Sequence, residues 1–183
     1  MKAPKAFFVW VGSRAIGLAP LAGRCACLLM AMGWAAAASH ATTVAPLAPS
    51  ASCGAVWAVA GLHEMPGDSL LVVLSPRMVY ALTEWPRMRE AAATAGFRVV
   101  VVRDPRVPRS EWSSAIAVAG LPDLAAVPEV DAGLAGQCGL LNHFPSTLVG
   151  RCGRPHPWPV LGVMPTAAWR SLIVQRREAV SCP

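Results

Sequence analysis

The chain has 183 residues, 55% of them hydrophobic and only 14% charged, with a formal net charge of +6. That length suits one domain, and the apolar content supports a sizeable core and excludes disorder. A charge-driven nucleic-acid binder is excluded too, because Lys2, Lys5, Arg14 and Arg24 all precede the first acid, Glu64, and beyond residue 41 only 12 basic residues face 10 acidic ones. Phosphate affinity therefore has no support, and the basic balance belongs to the leader.

The N-terminus has the layout of a secretory signal. A basic region ends at Arg24, an apolar run of fourteen residues extends from Cys25 to Ala38, and Ser39-His40-Ala41 is a small-x-small cleavage site. Such a run is short of the roughly 20 residues of a membrane span. Residues 1–41 are expected to be removed on export to the periplasm, and residues 42–52, aperiodic with two prolines, to be a flexible spacer. The folded domain is expected over 53–183. Four cysteines remain there: Cys53, Cys138, Cys152 and Cys182. An even count in an exported chain favours two disulfides, with three connectivities open.

Along the domain, Ala55 to Ala60 reads as a short first strand, and Pro66-Gly67 as a turn. Leu70 to Leu74 is a continuous β-branched-rich run, the pattern of a buried strand. Ser75 is placed to cap a helix that begins at Pro76 and ends near Ala95, with Met78, Leu82, Trp85, Met88 and Ala92 in one apolar stripe and a kink expected at Pro86. Phe97 to Val102 is a strand, closed by Asp104-Pro105. Ser110 to Ala119 forms a helix with Ser110 as its cap and Gly120 as its stop. Residues 121–141 read as loop with a helical turn. Ser146 to Val149 and Val160 to Val163 are antiparallel mates around a Gly/Pro-rich turn, and Thr166 caps a last helix from Ala167 to Val180. The β-α-β part implies a parallel pair and the hairpin an antiparallel one, so the sheet is mixed.

This order, with His143-Phe144-Pro145-Ser146-Thr147-Leu148-Val149 ahead of a Gly-rich turn and a capped terminal helix, resembles the thioredoxin-like family. The resemblance implies an α/β three-layer sandwich with a mixed sheet and a cis-proline at Pro145 beside the active-site loop. Where redox-active members carry C-x-x-C, this chain has Ser75-Pro76-Arg77-Met78. Dithiol exchange needs an attacking thiolate and a resolving thiol, and these residues supply neither. Leu74-Ser75-Pro76 and Ala93-Thr94-Ala95-Gly96-Phe97 are also similar to thioredoxin-like pilin-assembly proteins of conjugation systems.

The candidate groove comprises Ser75, Pro76, Arg77 and Met78 with His143, Phe144 and Pro145, placed to hold an extended segment of a protein partner in the cell envelope. Each of these residues also has a plain structural reading: Met78 on the helix stripe, Arg77 in solvent, His143 bonded to backbone. Asp104-Pro105-Arg106 follows a strand at a carboxyl end, where α/β ligands often sit, and also reads as a plain connecting turn. Cys138, His143, Cys152 and His156 offer zinc-type ligands, but their spacing fits no knuckle and an oxidising compartment favours disulfides, so no metal is expected. No phosphate loop, G-x-G-x-x-G or H-E-x-x-H is present, so no cofactor and no catalytic constellation is expected. The chain reads as a redox-inactive binding or assembly module. The alternative is a thiol-disulfide exchange enzyme using an unconventional pair such as Cys138 and Cys152.

Overall fold

Strand β1 (Asp68–Leu74) is the centre of the molecule, with Leu70, Leu71, Val72, Val73 and Leu74 all fully buried. Burial on alternate residues of both parities means that both faces of the strand are covered, which is why the run is apolar without alternation. A computed structural model describes residues 49–182; the expected signal segment, 1–41, and residues 42–48 of the expected spacer lie outside the described residues.

The first described element is a helix, α1 (Pro49–Val59), where a flexible spacer and then a strand were expected. Ser52, Cys53, Val56 and Trp57 are its buried residues, a helical repeat inside a short apolar run that periodicity alone does not separate from a strand. Pro49 occupies the first position, where a missing N–H costs nothing. After β1 come α2 (Val79–Thr94), β2 (Arg98–Arg103) and α3 (Arg109–Ala119). The weak stretch holds a single turn at Pro122–Leu124 and a short helix, α4 (Ala132–Gln137). Then follow β3 (Ser146–Arg151), β4 (Arg154–Pro155), β5 (Val160–Leu161) and α5 (Thr166–Glu178).

Helix α2 runs on through Pro86. Its start differs from expectation. Met78, not Ser75, is the N-cap, and Ser75 to Met78 form a turn closed by the Met78 N–H donating to the Ser75 carbonyl at 3.2 Å. Proline at the second position presets the φ that such a turn needs, so Pro76 serves the turn instead of the helix. Ser110 and Thr166 likewise lie inside α3 and α5; Pro108 and Pro165 hold the N-cap positions, and neither helix has a side-chain cap bond. Left-handed Gly120 (φ 67°) ends α3 as expected.

The strand order is β2-β1-β3-β4, with β5 also pairing β3. β1 and β2 are parallel, while β3 runs antiparallel to β1 with Val73 opposite Ser146 and Asp68 opposite Arg151. Helices α2 and α5 pack together over the sheet, and α1 packs with α4 beside β4. The sheet is therefore mixed and layered on both sides, as the resemblance implied. Among the described residues two disulfides form, Cys53–Cys138 and Cys152–Cys182.

Candidate functional site

Register decides where the site falls. Parallel β1 and β2 end together at Leu74 and Arg103, and β3 begins at the same end. The residues just after β1 and β2, and those just before β3, therefore meet at the carboxyl edge of the parallel pair, the place where open α/β sheets bind ligands. A cavity of about 350 Å³ lies there, lined by Ser75, Arg77, Met78, Asp104, Arg106, Leu141, Asn142, His143 and Phe144.

Five of the seven expected groove residues line this cavity: Ser75, Arg77, Met78, His143 and Phe144. Pro76 and Pro145 do not. Pro76 turns the chain below it. The Phe144–Pro145 peptide is cis, and the Pro145 carbonyl accepts the Gly162 N–H at 2.8 Å. Asp104, Arg106, Leu141 and Asn142 were not assigned from sequence. Asp104 and Arg106 join the wall from the carboxyl end of β2, the position the sequence marks as one where ligands often sit, while the stretch also connects β2 to α3.

The polar floor is largely self-paired. Asp104, 1% exposed, accepts from Arg106 Nε at 2.9 Å and Nη2 at 3.1 Å, and from the Arg106 backbone N–H at 3.1 Å. Burial pushes its carboxyl up, but the Arg106 bonds and the nearby Ser75 hydroxyl outweigh this and hold it below the usual carboxylate range. The Ser75 hydroxyl contributes to that effect but is itself buried without a hydrogen-bond partner. The Arg106 guanidinium also lies 5.4 Å from the Phe144 ring centroid, a cation–π contact. At the rim, Arg77 grips Glu111 of α3 with two bonds of 3.0 Å and holds that carboxyl below its ordinary range. Met78 combines its two readings: it lines the cavity and packs on the core.

Ser75, Asp104 and His143 share the cavity but form no catalytic relay. Asp104 is committed to Arg106, and among the described residues no hydrogen bond joins His143 to either partner. The His143 ring lies over Gly162, where an added Cβ would be 2.7 Å from its Cδ2. The remaining lining groups, Met78, Leu141, Asn142 and Phe144, are those of a contact surface that is apolar with a few hydrogen-bonding groups.

The zinc-type set is dispersed. Cys138 is bonded to Cys53 and Cys152 to Cys182, so neither offers a thiolate, and Cys138 and Cys152 are not paired with each other. His156 is buried between the Trp158 carbonyl, 3.2 Å from Nδ1, and Arg176 Nη1, 3.3 Å from Nε2. Nδ1 also accepts the Trp158 backbone N–H at 3.1 Å, so hydrogen-bond donors face both ring nitrogens and a doubly protonated ring is disfavoured. Burial, reinforced by the Arg176 charge, lowers the imidazole pKa despite the Trp158 carbonyl. The unfolded chain takes up this proton near pH ~6.5. Stability from His156 is then fully present above that pH and lost as pH falls through the lower folded value. Urea melts at pH 7 and pH 5 are expected to show lower stability at pH 5, with a smaller difference in His156→Gln. An unchanged difference would assign the acid sensitivity elsewhere.

The β-α-β unit, the antiparallel strands after it, the terminal helix and a groove at the strand ends define a thioredoxin-like domain whose groove contains no thiol. No family model matches the chain, and no curated protein matches it. Among solved structures it is similar to a secreted Mycobacterium tuberculosis disulfide oxidoreductase homologous to E. coli DsbE, with 13% sequence identity and a TM-score of 0.43 over 60% of this chain and 81% of that one. The fold assignment rests on the strand order and helix placement described above.

Proposed function

We propose that this protein is an exported thioredoxin-like binding or assembly module, redox-inactive at its groove, that holds an extended protein segment between Ser75–Met78 and His143–Phe144. The observation that carries this reading is the cavity itself: it occupies the strand-end position, it is lined by adaptable apolar and amide groups, and both disulfides lie among other residues. Met78 suits a surface that accommodates varied side chains. The internal pairing of Arg77 with Glu111 and Arg106 with Asp104 leaves the groove near neutral, which fits a peptide better than a highly charged ligand. Two disulfides fit an exported protein, and the leader points to the periplasm.

The test is fluorescence anisotropy with a panel of short, uncharged extended peptides. Binding is expected for a subset, and Met78→Asp is expected to weaken it about tenfold, since a carboxylate would be desolvated at the contact. No binding across the panel, or binding insensitive to both Met78→Asp and Asn142→Ala, would reject the groove. The oxidoreductase named above suggests a thiol-disulfide role as the second reading. Among the described residues the Cys152–Cys182 pair, half-buried at Cys152 and exposed at Cys182, favours it, and Cys138 and Cys152 are not bonded to each other.

A further inference from the structure

The two disulfides sit in opposite surroundings. Cys53 and Cys138 are 0% and 3% exposed. Cys152 is half-buried and Cys182 exposed. A thiolate must reach a disulfide sulfur to exchange with it, so access alone favours the second pair.

The charge around that pair is also uneven. Cys152 and Gly153 form a two-residue hairpin turn between β3 and β4, with φ of 51° and 74°, the positive values that a tight hairpin demands. Arg151 and Arg154 pair directly across the ladder, so two arginines flank the turn. Arg151 shares Asp68 with Arg177, whereas Arg154 is exposed and has no ion pair among the described residues. Positive charge stabilises a thiolate and makes it the better leaving group. Cys182, on the tail beyond α5, is the more open target.

We propose that Cys152–Cys182 is a thiol-exchange site in which an external thiolate, from glutathione or a dithiol protein, attacks Cys182 Sγ. The S–S bond breaks, its electron pair passes to Cys152 Sγ, and Cys152 leaves as a thiolate while a mixed disulfide forms on Cys182. With a dithiol, the second thiolate then attacks the incoming sulfur of that mixed disulfide. Cys182 leaves, and the dithiol is oxidised to a disulfide. Two electrons pass to the cysteine pair, and the protons lost by the two attacking thiols are balanced by protonation of Cys152 and Cys182. The site lies at the amino end of β1, where the Cys152 N–H donates to the Gly67 carbonyl at 3.1 Å, and thus at the end of the sheet opposite the groove. It stands independently of the peptide-binding reading.

The full chain, purified oxidised, is treated with reduced glutathione, trapped at intervals with maleimide and mapped by peptide mass spectrometry, which reads Cys25 and Cys27 separately. Glutathione is expected on Cys182 and maleimide on Cys152, at least about tenfold faster than any label at Cys53 or Cys138. Arg154→Ala is expected to slow opening by about threefold, because the leaving thiolate loses its stabilising charge. Labelling of all four cysteines together overturns the proposal, as does glutathione on Cys152 instead of Cys182, or an opening rate indifferent to Arg154→Ala. None of these outcomes bears on peptide binding at Met78, so the two readings fail separately.

Discussion

Gly150→Ala is expected to destabilise the domain by about 3 kcal/mol, at the upper end of overpacking costs, and to lower its Tm by about 10 °C. Gly150 lies in β3 directly against the ring of Trp57, which is 1% exposed. A Cβ there would stand 2.3 Å and 2.5 Å from two ring carbons and 2.8 Å from the Arg154 carbonyl oxygen. The ring has no open side to move into, and the carbonyl belongs to the neighbouring strand. The clash must therefore push α1 off the sheet or part β3 from β4. Thermal melts check this, with Gly136→Ala as the control, since nothing lies within 4 Å of a Cβ at that helical position. The control is expected to be neutral or slightly stabilising. Trp57→Leu in the same chain should make the Gly150→Ala cost smaller than in the wild type, because the two residues are in contact. Additive losses would place the strain elsewhere.

Replacing Cys53 and Cys138 together by alanine is expected to cost about 4 to 5 kcal/mol from the chain entropy returned to the unfolded state, given the sequence separation of 85. The same change at Cys152 and Cys182, separated by 30, is expected to cost about 3.5 kcal/mol. The first bridge also joins α1 to α4, and α1 packs against β4 and, through Trp57, against Gly150 of β3. α1 carries Trp57, so its release would open the core as well as lengthen the unfolded chain. Urea denaturation of the two double variants measures the difference. A reversed order, or a loss below about 2 kcal/mol for the buried bridge, would mean that α1 is held by packing alone.

Much of the sheet was legible in the chain. Leu70 to Leu74 and Phe97 to Val102 are β-branched-rich runs with clear stops, and they form β1 and β2. Met78, Leu82, Trp85 and Met88 carry a helical repeat strong enough to mark α2 across Pro86. The failures are local ambiguities. Ala55 to Ala60 is too short for period to separate a strand from a helix, and burial at Cys53, Val56 and Trp57 shows a helical repeat only once the residues before Ala55 are included. Ser75, Ser110 and Thr166 all look like caps, yet prolines or a turn set each helix start.

The apolar strands, the main helices and the lack of a C-x-x-C at the loop after β1 can each be read from short stretches of the chain. Which cysteines pair, how Asp104, Arg106, Leu141 and Asn142 come to line the groove, and why one disulfide is sealed while the other is open follow from packing between distant segments. Strand and helix preferences come from interactions a few residues apart, which the order of the chain displays directly. Disulfide partners 85 and 30 residues apart, and a cavity whose walls come from three separate strand ends, depend on register and packing, which arise only when the whole core closes at once.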